Sequence, residues 1–199
     1  MLFDIVVYDG IDELDALGPL EVLRSGASFG AAVTARLVSP GDQPEVRGAF
    51  GLRFRPDGRW VPGDAEVTVV PGGGWAAQAD AGAWGEYRRG TLLKLIADAA
   101  VRSRVMAGVC TGTMLLAHAG IVGNRRATSH HAAWPDLAAT GAHVVRDRVV
   151  DDGDLVTSGG VTAGIDLALW LLARECSPEC AAKVAARMEH ASQLPGEAA

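Results

Sequence analysis

The chain has 199 residues with a formal net charge of -6, 49% hydrophobic and 21% charged residues. That length suits one domain, spanning 1–199, with a sizeable core, and the balance is globular rather than disordered. The negative charge argues against nucleic acid or an anionic membrane as a partner, and no apolar run is long enough to span a bilayer. Three cysteines, an odd number, fit a reducing cytoplasm better than a disulfide framework. A strand-like run begins at once after Met1, without a basic and then apolar leader, so no signal peptide is expected.

Residues 3–8 read as a buried parallel strand, followed by a turn at Asp9-Gly10. Residues 12–25 have helical spacing, with Asp15 in the first turn and Gly18-Pro19 after it. Residues 32–39 form a second strand, closed by Pro40-Gly41-Asp42. Residues 46–55 alternate weakly and suit a hairpin or edge ribbon, with Trp60 and Val61 as candidates to pair with it. Residues 66–70 form a third core strand running into Pro71-Gly72-Gly73-Gly74-Trp75, and 84–100 a helix with Leu92, Leu93, Leu95, Ile96 and Ala99 as its core stripe.

The run Val105-Met106-Ala107-Gly108-Val109-Cys110-Thr111-Gly112 reads as strand, sharp turn and helix, with Gly120 as the C-cap. Short strands are expected at 127–129, 143–145, 148–151 and 155–158, and a helix at 132–139 interrupted by Pro135. Gly159-Gly160-Val161-Thr162-Ala163-Gly164 opens an apolar helix over 165–174. Ser177-Pro178 looks like an N-cap and first helical position for a last helix reaching about 191, with about 192–199 a frayed tail. Cys176 and Cys180 flank that helix start and are assigned to packing; with no His nearby they make a poor metal site.

Strands alternating with helices imply a three-layer α/β sandwich, flavodoxin-like: a mostly parallel central sheet with helices on both faces. In such a sheet, ligands bind outside the carboxyl ends of the strands. Segment 9–15, the Gly72–Gly74 loop, Cys110 and Gly159-Gly160 all occupy that position.

Gly-x-Cys-x-Gly at 108–112 has the form of a nucleophile elbow with Cys in place of Ser. Gly108 and Gly112 have a steric reason, since a strained turn needs neighbours without bulk. The following helix aims its N–H groups at the sulfur, which predicts a thiol pKa below the free value of roughly 8.5. The alternative is a buried structural cysteine in a small-residue turn. The three glycines after the third strand lack the Lys-Ser/Thr of a phosphate loop. They suit an oxyanion loop, with N–H donors from Gly73 or Gly74 and from Thr111.

Leu14-Asp15-x-x-Gly18-Pro19, Pro71-Gly72-Gly73, Gly108-Val109-Cys110-Thr111-Gly112, Arg125-Arg126-Ala127-Thr128-Ser129-His130 and Gly159-Gly160-Val161-Thr162-Ala163-Gly164-Ile165-Asp166 occur in that order. Together they resemble the ThiJ/PfpI superfamily, with its class I glutamine amidotransferase-like fold, over nearly the whole chain. Protease-type members place His directly after the nucleophilic Cys; Thr111 stands there instead. Many members carry Glu on the first helix, whereas Asp15 with Cys110-Thr111 resembles the isocyanide (isonitrile) hydratase branch. The N-terminal domains of some AraC-type regulators share most of these motifs, and their helix-turn-helix segment is not expected here.

The resemblance implies attack of the Cys110 thiolate on the terminal carbon of an isocyanide, giving a thioimidate that water converts to an N-substituted formamide. Asp15 is the candidate proton carrier, its pKa raised by an apolar pocket, against a plain helix-cap reading. Thr111 is a candidate for a backbone donor and a hydroxyl bond to substrate, or simply a first-turn residue. His130 and Trp75 are candidate pocket residues, each with an ordinary structural reading beside it, and His118 is assigned to packing. Gly159-Gly160-Val161-Thr162 is expected to give a close backbone approach and a helix start at the site, with Gly160 and Thr162 at the substrate. A small-molecule substrate and a homodimer are implied, without metal or cofactor. A ligand- or redox-sensing protein using Cys110, and a glyoxalase- or deglycase-like activity on small carbonyls, remain as alternatives.

Overall fold

The computed structural model describes residues 1–195. In chain order the elements are β1 (Leu2–Val6), α1 (Glu13–Ser28), β2 (Thr34–Ser39), β3 (Val46–Arg47), β4 (Arg53–Phe54), β5 (Gly58–Arg59), β6 (Val67–Val70), α2 (Ala83–Arg89) and α3 (Thr91–Ala100). Then follow β7 (Val105–Val109), α4 (Gly112–His118), β8 (Arg126–Ala127), a 3-10 turn (His131–Ala133), α5 (Trp134–Ala139), β9 (His143–Val144), β10 (Val149–Asp151), β11 (Leu155–Ser158), α6 (Ala163–Glu175) and α7 (Pro178–Arg187).

Seven strands form one sheet in the order β10-β11-β7-β6-β1-β2-β5. All neighbours pair in parallel except β10 with β11, which are joined by the turn at Asp152 and Gly153. The central strands β1, β6, β7 and β11 are buried almost throughout, as strands covered on both faces must be. Helices α1, α6 and α7 pack on one another, and α2, α3 and α4 form a second group, giving the mostly parallel sheet with flanking helices that the alternating pattern predicted. On α3, Leu92, Ile96 and Ala99 turn inward at helical spacing. Each of the two larger side chains adds roughly 1.5–3 kcal/mol by leaving water.

Three local expectations are corrected. The helix expected over 84–100 is two helices, because Gly90 adopts a left-handed φ of 72° that ends α2 and starts α3. The ribbon is β3 against β4, antiparallel as expected, but the segment before Trp60 does not join it. Gly58–Arg59 pairs in parallel with β2 at the sheet edge, and Trp60 is buried with its N–H on the carbonyl of Ser39. The chain after α7 is tied down: the Gln193 N–H donates to Asp166 and Leu194 packs on the core. The remaining four residues of the expected tail, 196–199, lie outside the described ones.

Small residues bring α1 and α6 close together. A Cβ at Gly18 would lie 3.1 Å from the Ile165 side chain, and one at Gly164 would lie 2.9 Å from Val109 and 3.4 Å from Pro19. That contact carries the first turn of α1, and Asp15 with it, to the loop between β11 and α6. The α1 N-cap is Asp12, whose Oδ1 accepts the Leu14 N–H, so Asp15 is not the cap. Cys180 is buried with its sulfur on the Gly26 carbonyl, and Ser177 caps α7, both as the sequence indicated.

Candidate active site

Cys110 sits between β7 and α4 with φ of 56°, in the left-handed region that a non-glycine residue enters at a cost. The geometry is enforced on both sides. A Cβ at Gly112 would lie 1.9 Å from the Val70 carbonyl oxygen, and one at Gly108 would lie 2.7 Å from the Thr113 hydroxyl. The Cys110 N–H bonds to the carbonyls of Ser158 and Gly159, and its own carbonyl accepts the Ser129 hydroxyl at 2.8 Å. The elbow read from the glycine spacing is therefore a strained turn locked from both flanks.

A cavity of about 250 Å³ opens over the sulfur. Its walls include Asp12, Gly73, Gly74, Trp75, Cys110, Thr111, His130 and Val161. Asp15 is not on that wall: it is wholly buried and acts on the thiol from within. Its Oδ2 accepts the Gly72 N–H at 3.0 Å, while its buried Oδ1 has no aligned donor among the described residues. Burial, and then the charge of Asp12, push the Asp15 carboxyl up to about 7; the Gly72 N–H, the Cys110 thiol and the Val161 N–H draw it back. A carboxyl that titrates near neutrality is what the sequence reading asked of Asp15.

The expectation for Cys110 itself is corrected. Burial, and then the negative charge of Asp15, push the thiol well above its ordinary range. The N–H groups of Thr111 and Val161 do stabilise the thiolate, as the helix-start argument required, but they are outweighed. The free-cysteine reference used in that argument took no account of a buried carboxylate beside the sulfur.

The Gly-rich loop is built differently from an open oxyanion cradle. The Gly72 N–H is spent on Asp15, and the Gly73 N–H donates to the Thr111 hydroxyl at 2.9 Å. That hydroxyl retains its own proton for a ligand in the cavity. Tyr8 fixes the start of the loop, its hydroxyl donating to the Pro71 carbonyl at 2.5 Å. Trp75 is buried, and its indole N–H donates to Asp136 at 2.8 Å. Its ring packs edge-on against Trp84 and stacks near His118, so it is both cavity wall and part of an aromatic cluster.

His130 reaches the cavity, with Nδ1 accepting the Ala132 N–H at 3.2 Å. Burial, and then the neighbouring His131, keep its pKa below the usual value, so it is a neutral imidazole at neutral pH. Gly160 is a platform for this ring: a Cβ there would lie 2.3 Å from His130 Cδ2. Thr162 is not at the cavity. It is exposed, and its hydroxyl accepts from Arg148 at 3.0 Å. Sequence reading had the 159–162 backbone approaching the site but did not single out Val161, which lines the cavity at φ of 51° and whose N–H acts to lower the pKa of both Asp15 and Cys110. It also missed Asp12 as a wall residue, although its place as helix cap beside a site loop was a usable signal.

Among the described residues, no group of three or more His, Cys, Asp or Glu is placed to hold a metal ion, and no helix is long and apolar enough to cross a membrane.

A parallel α/β sheet with a cysteine elbow, a buried carboxyl and a Gly-rich loop at the strand ends defines a recognisable class. Residues 4–174 match the model of the DJ-1/PfpI family, and the chain belongs to that family. The isonitrile hydratase of Pseudomonas putida is 32% identical over 191 residues, covering 96% of this chain and 78% of that protein. The Parkinson disease protein 7 homolog of Danio rerio is 27% identical over 188 residues, covering 92% and 93%. The crystal structure of a ThiJ/PfpI family protein from Pseudomonas syringae superposes with a TM-score of 0.84 at 28% identity, over 99% of this chain and 78% of that one.

Proposed function

We propose that this protein is an isocyanide hydratase-like enzyme that adds water to a small isocyanide and releases an N-substituted formamide. The observation that carries this reading is the Cys110–Asp15 pair: a buried thiol facing a carboxyl that titrates near neutrality, at the floor of a small cavity. The likeness to the Pseudomonas putida isonitrile hydratase along nearly the whole chain supports it. A cavity of about 250 Å³ falls below the roughly 300–1,000 Å³ of drug-sized ligand sites and suits a small, narrow electrophile.

The chemistry follows from the pair. As the Cys110 sulfur attacks the terminal carbon of R–N≡C, its proton passes to the Asp15 carboxylate, so the buried thiolate never stands alone. The same carboxyl then returns the proton to the attacked carbon, leaving the thioimidate R–N=CH–S–Cys110. Water adds across the C=N bond, its hydroxyl to carbon and its proton to nitrogen, with Asp15 relaying the proton. The tetrahedral adduct R–NH–CH(OH)–S–Cys110 collapses to R–NH–CHO, and the hydroxyl proton goes back to sulfur. The sum is R–N≡C plus water to R–NH–CHO. The Thr111 hydroxyl and the neutral His130 face this adduct as its polar neighbours.

The test is turnover of simple alkyl and aryl isocyanides, followed as formamide, with Cys110→Ala and Asp15→Asn assayed beside the wild type. Formation no faster than the Cys110→Ala background refutes the reading. Peroxide-dependent modification confined to Cys110, with no turnover, would point to a redox sensor instead.

A further inference from the structure

Thr162 was expected at the substrate, yet its exposed hydroxyl leads away from the cavity to Arg148 and, through it, to the buried Asp166. Arg148 grips the loop 159–162 at two points. Its backbone carbonyl accepts the Gly159 N–H at 2.9 Å, and its Nη2 donates to the Thr162 hydroxyl at 3.0 Å. Its Nε donates to Asp166 Oδ2 at 2.6 Å. Asp166 lies in the first turn of α6 and is wholly buried. Its other oxygen takes the His190 ring at 3.0 Å and the Gln193 N–H at 2.8 Å, so the chain after α7 closes over it.

Between the two grips lies Val161. A β-branched residue at φ of 51° is held there against a steric cost. Relaxing that angle means turning the peptide plane that carries the Val161 N–H, which acts to lower the pKa of both Cys110 and Asp15. On the elbow side, the Gly159 carbonyl bonds directly to the Cys110 N–H at 3.1 Å. An ion pair such as Arg148–Asp166, with a wholly buried carboxylate and a partly exposed arginine, gives little net stability once desolvation is counted. What it does supply here is a fixed arrangement of four segments around the strained loop.

We infer that Arg148 and Asp166 are positioning residues for the reaction centre: acting through Gly159 and Thr162, they hold the loop 159–162 so that the Gly159 carbonyl stays on the Cys110 N–H and the strained Val161 backbone stays at the cavity wall beside Cys110. The inference rests on that pair being the reactive centre, and not on which electrophile the pair attacks.

The experiment compares wild type, Thr162→Ala, Thr162→Ser and Arg148→Gln of the full chain. Iodoacetamide alkylation at pH 8 is followed peptide by peptide, with the exposed Cys176 as internal control. Losing an N–H that supports a thiolate slows Cys110, whereas mere loosening of the loop exposes the sulfur and speeds it. Thr162→Ala is expected to slow Cys110 alkylation about three- to tenfold, and Arg148→Gln at least as much. Thr162→Ser, which keeps the hydroxyl, restores the wild-type rate, and Cys176 labels equally in all. An unchanged or faster Cys110 rate in Thr162→Ala overturns the inference. If Arg148→Gln does not fold, the Thr162 pair decides alone. If the alkylation pattern holds while no isocyanide is turned over, the proposed substrate fails and this inference stands.

Discussion

The Asp15 carboxyl lies against the Cys110 thiol, and its charge is, after burial, the next cause of the raised thiol pKa. Burial pushes each group toward its neutral form, so the two cannot readily carry charge together. Thiol reactivity, the pH dependence of activity and the pH dependence of stability all follow from that pairing.

Removing the carboxylate charge should move thiol reactivity and turnover in opposite directions. After burial, the Asp15 charge is the next cause of the raised thiol pKa. Asp15→Asn is therefore expected to alkylate severalfold faster at Cys110 at pH 8. Its isocyanide turnover should fall by about 10²–10⁴, the usual worth of a positioned proton carrier. If both rates fall together, the charge of Asp15 is not what holds the thiol up.

The pH dependence of kcat/KM follows from the same carboxyl. Attack requires Asp15 as carboxylate to take the thiol proton, and its pKa lies at about 7. Activity should rise with pH through neutrality and level off above it. Asp15→Asn should lose this ascending limb, and a pH–rate profile of both proteins checks it.

Stability should move the other way over the same interval. The Asp15 pKa is 3.8 when unperturbed and about 7 in the fold. The folded state keeps its proton where the unfolded chain has lost it, so stability falls as pH rises from about 4 to 7 and is flat above. About three pKa units correspond to an upper figure of about 4 kcal/mol. Asp15→Asn should thus gain stability over the wild type at pH 8 and show no such gain at pH 4. Urea unfolding of the two proteins at both pH values measures the difference.

The elbow should not tolerate a methyl group. Gly112→Ala places a Cβ 1.9 Å from the Val70 carbonyl, where only backbone can yield. A loss of about 2–4 kcal/mol is expected, as for other forced overpacking. The three atoms nearest a Cβ at Gly160 all belong to the His130 ring, a side chain rather than backbone. Gly160→Ala should cost less stability than Gly112→Ala while changing the KM for isocyanides. Thermal melts and kinetics on the two variants separate a scaffold glycine from one that seats a cavity ring.

The parts of the site that were legible in the sequence are those carried by side chains in a fixed order. The glycines around Cys110, the carboxylate ahead of Gly18-Pro19 and the Gly72–Gly74 run each left a local signature, and the structure brings them to one end of the sheet. The alternation of buried strands with helices made the layered architecture readable in the same way. Val161 was legible only as one residue of a loop whose backbone approaches the site, because its contribution is an N–H that every residue but proline owns; what marks it is a backbone angle. Thr162 was misjudged because a hydroxyl beside a site loop looks alike whether it faces a cavity or Arg148. The raised Cys110 thiol escaped because burial is a property of the packed chain, and a seven-residue helix start is too small a counterweight. Gly90 sat within a continuous helical pattern, and only its left-handed angle divides α2 from α3.

The sheet ends in β5, a two-residue strand, on one side and in β10, a three-residue antiparallel strand, on the other. Such short borders leave few free N–H and C=O groups in a row, and an incoming strand finds little to zip against. Growth of the sheet by an added strand, the route to fibres, is thereby disfavoured at these two borders.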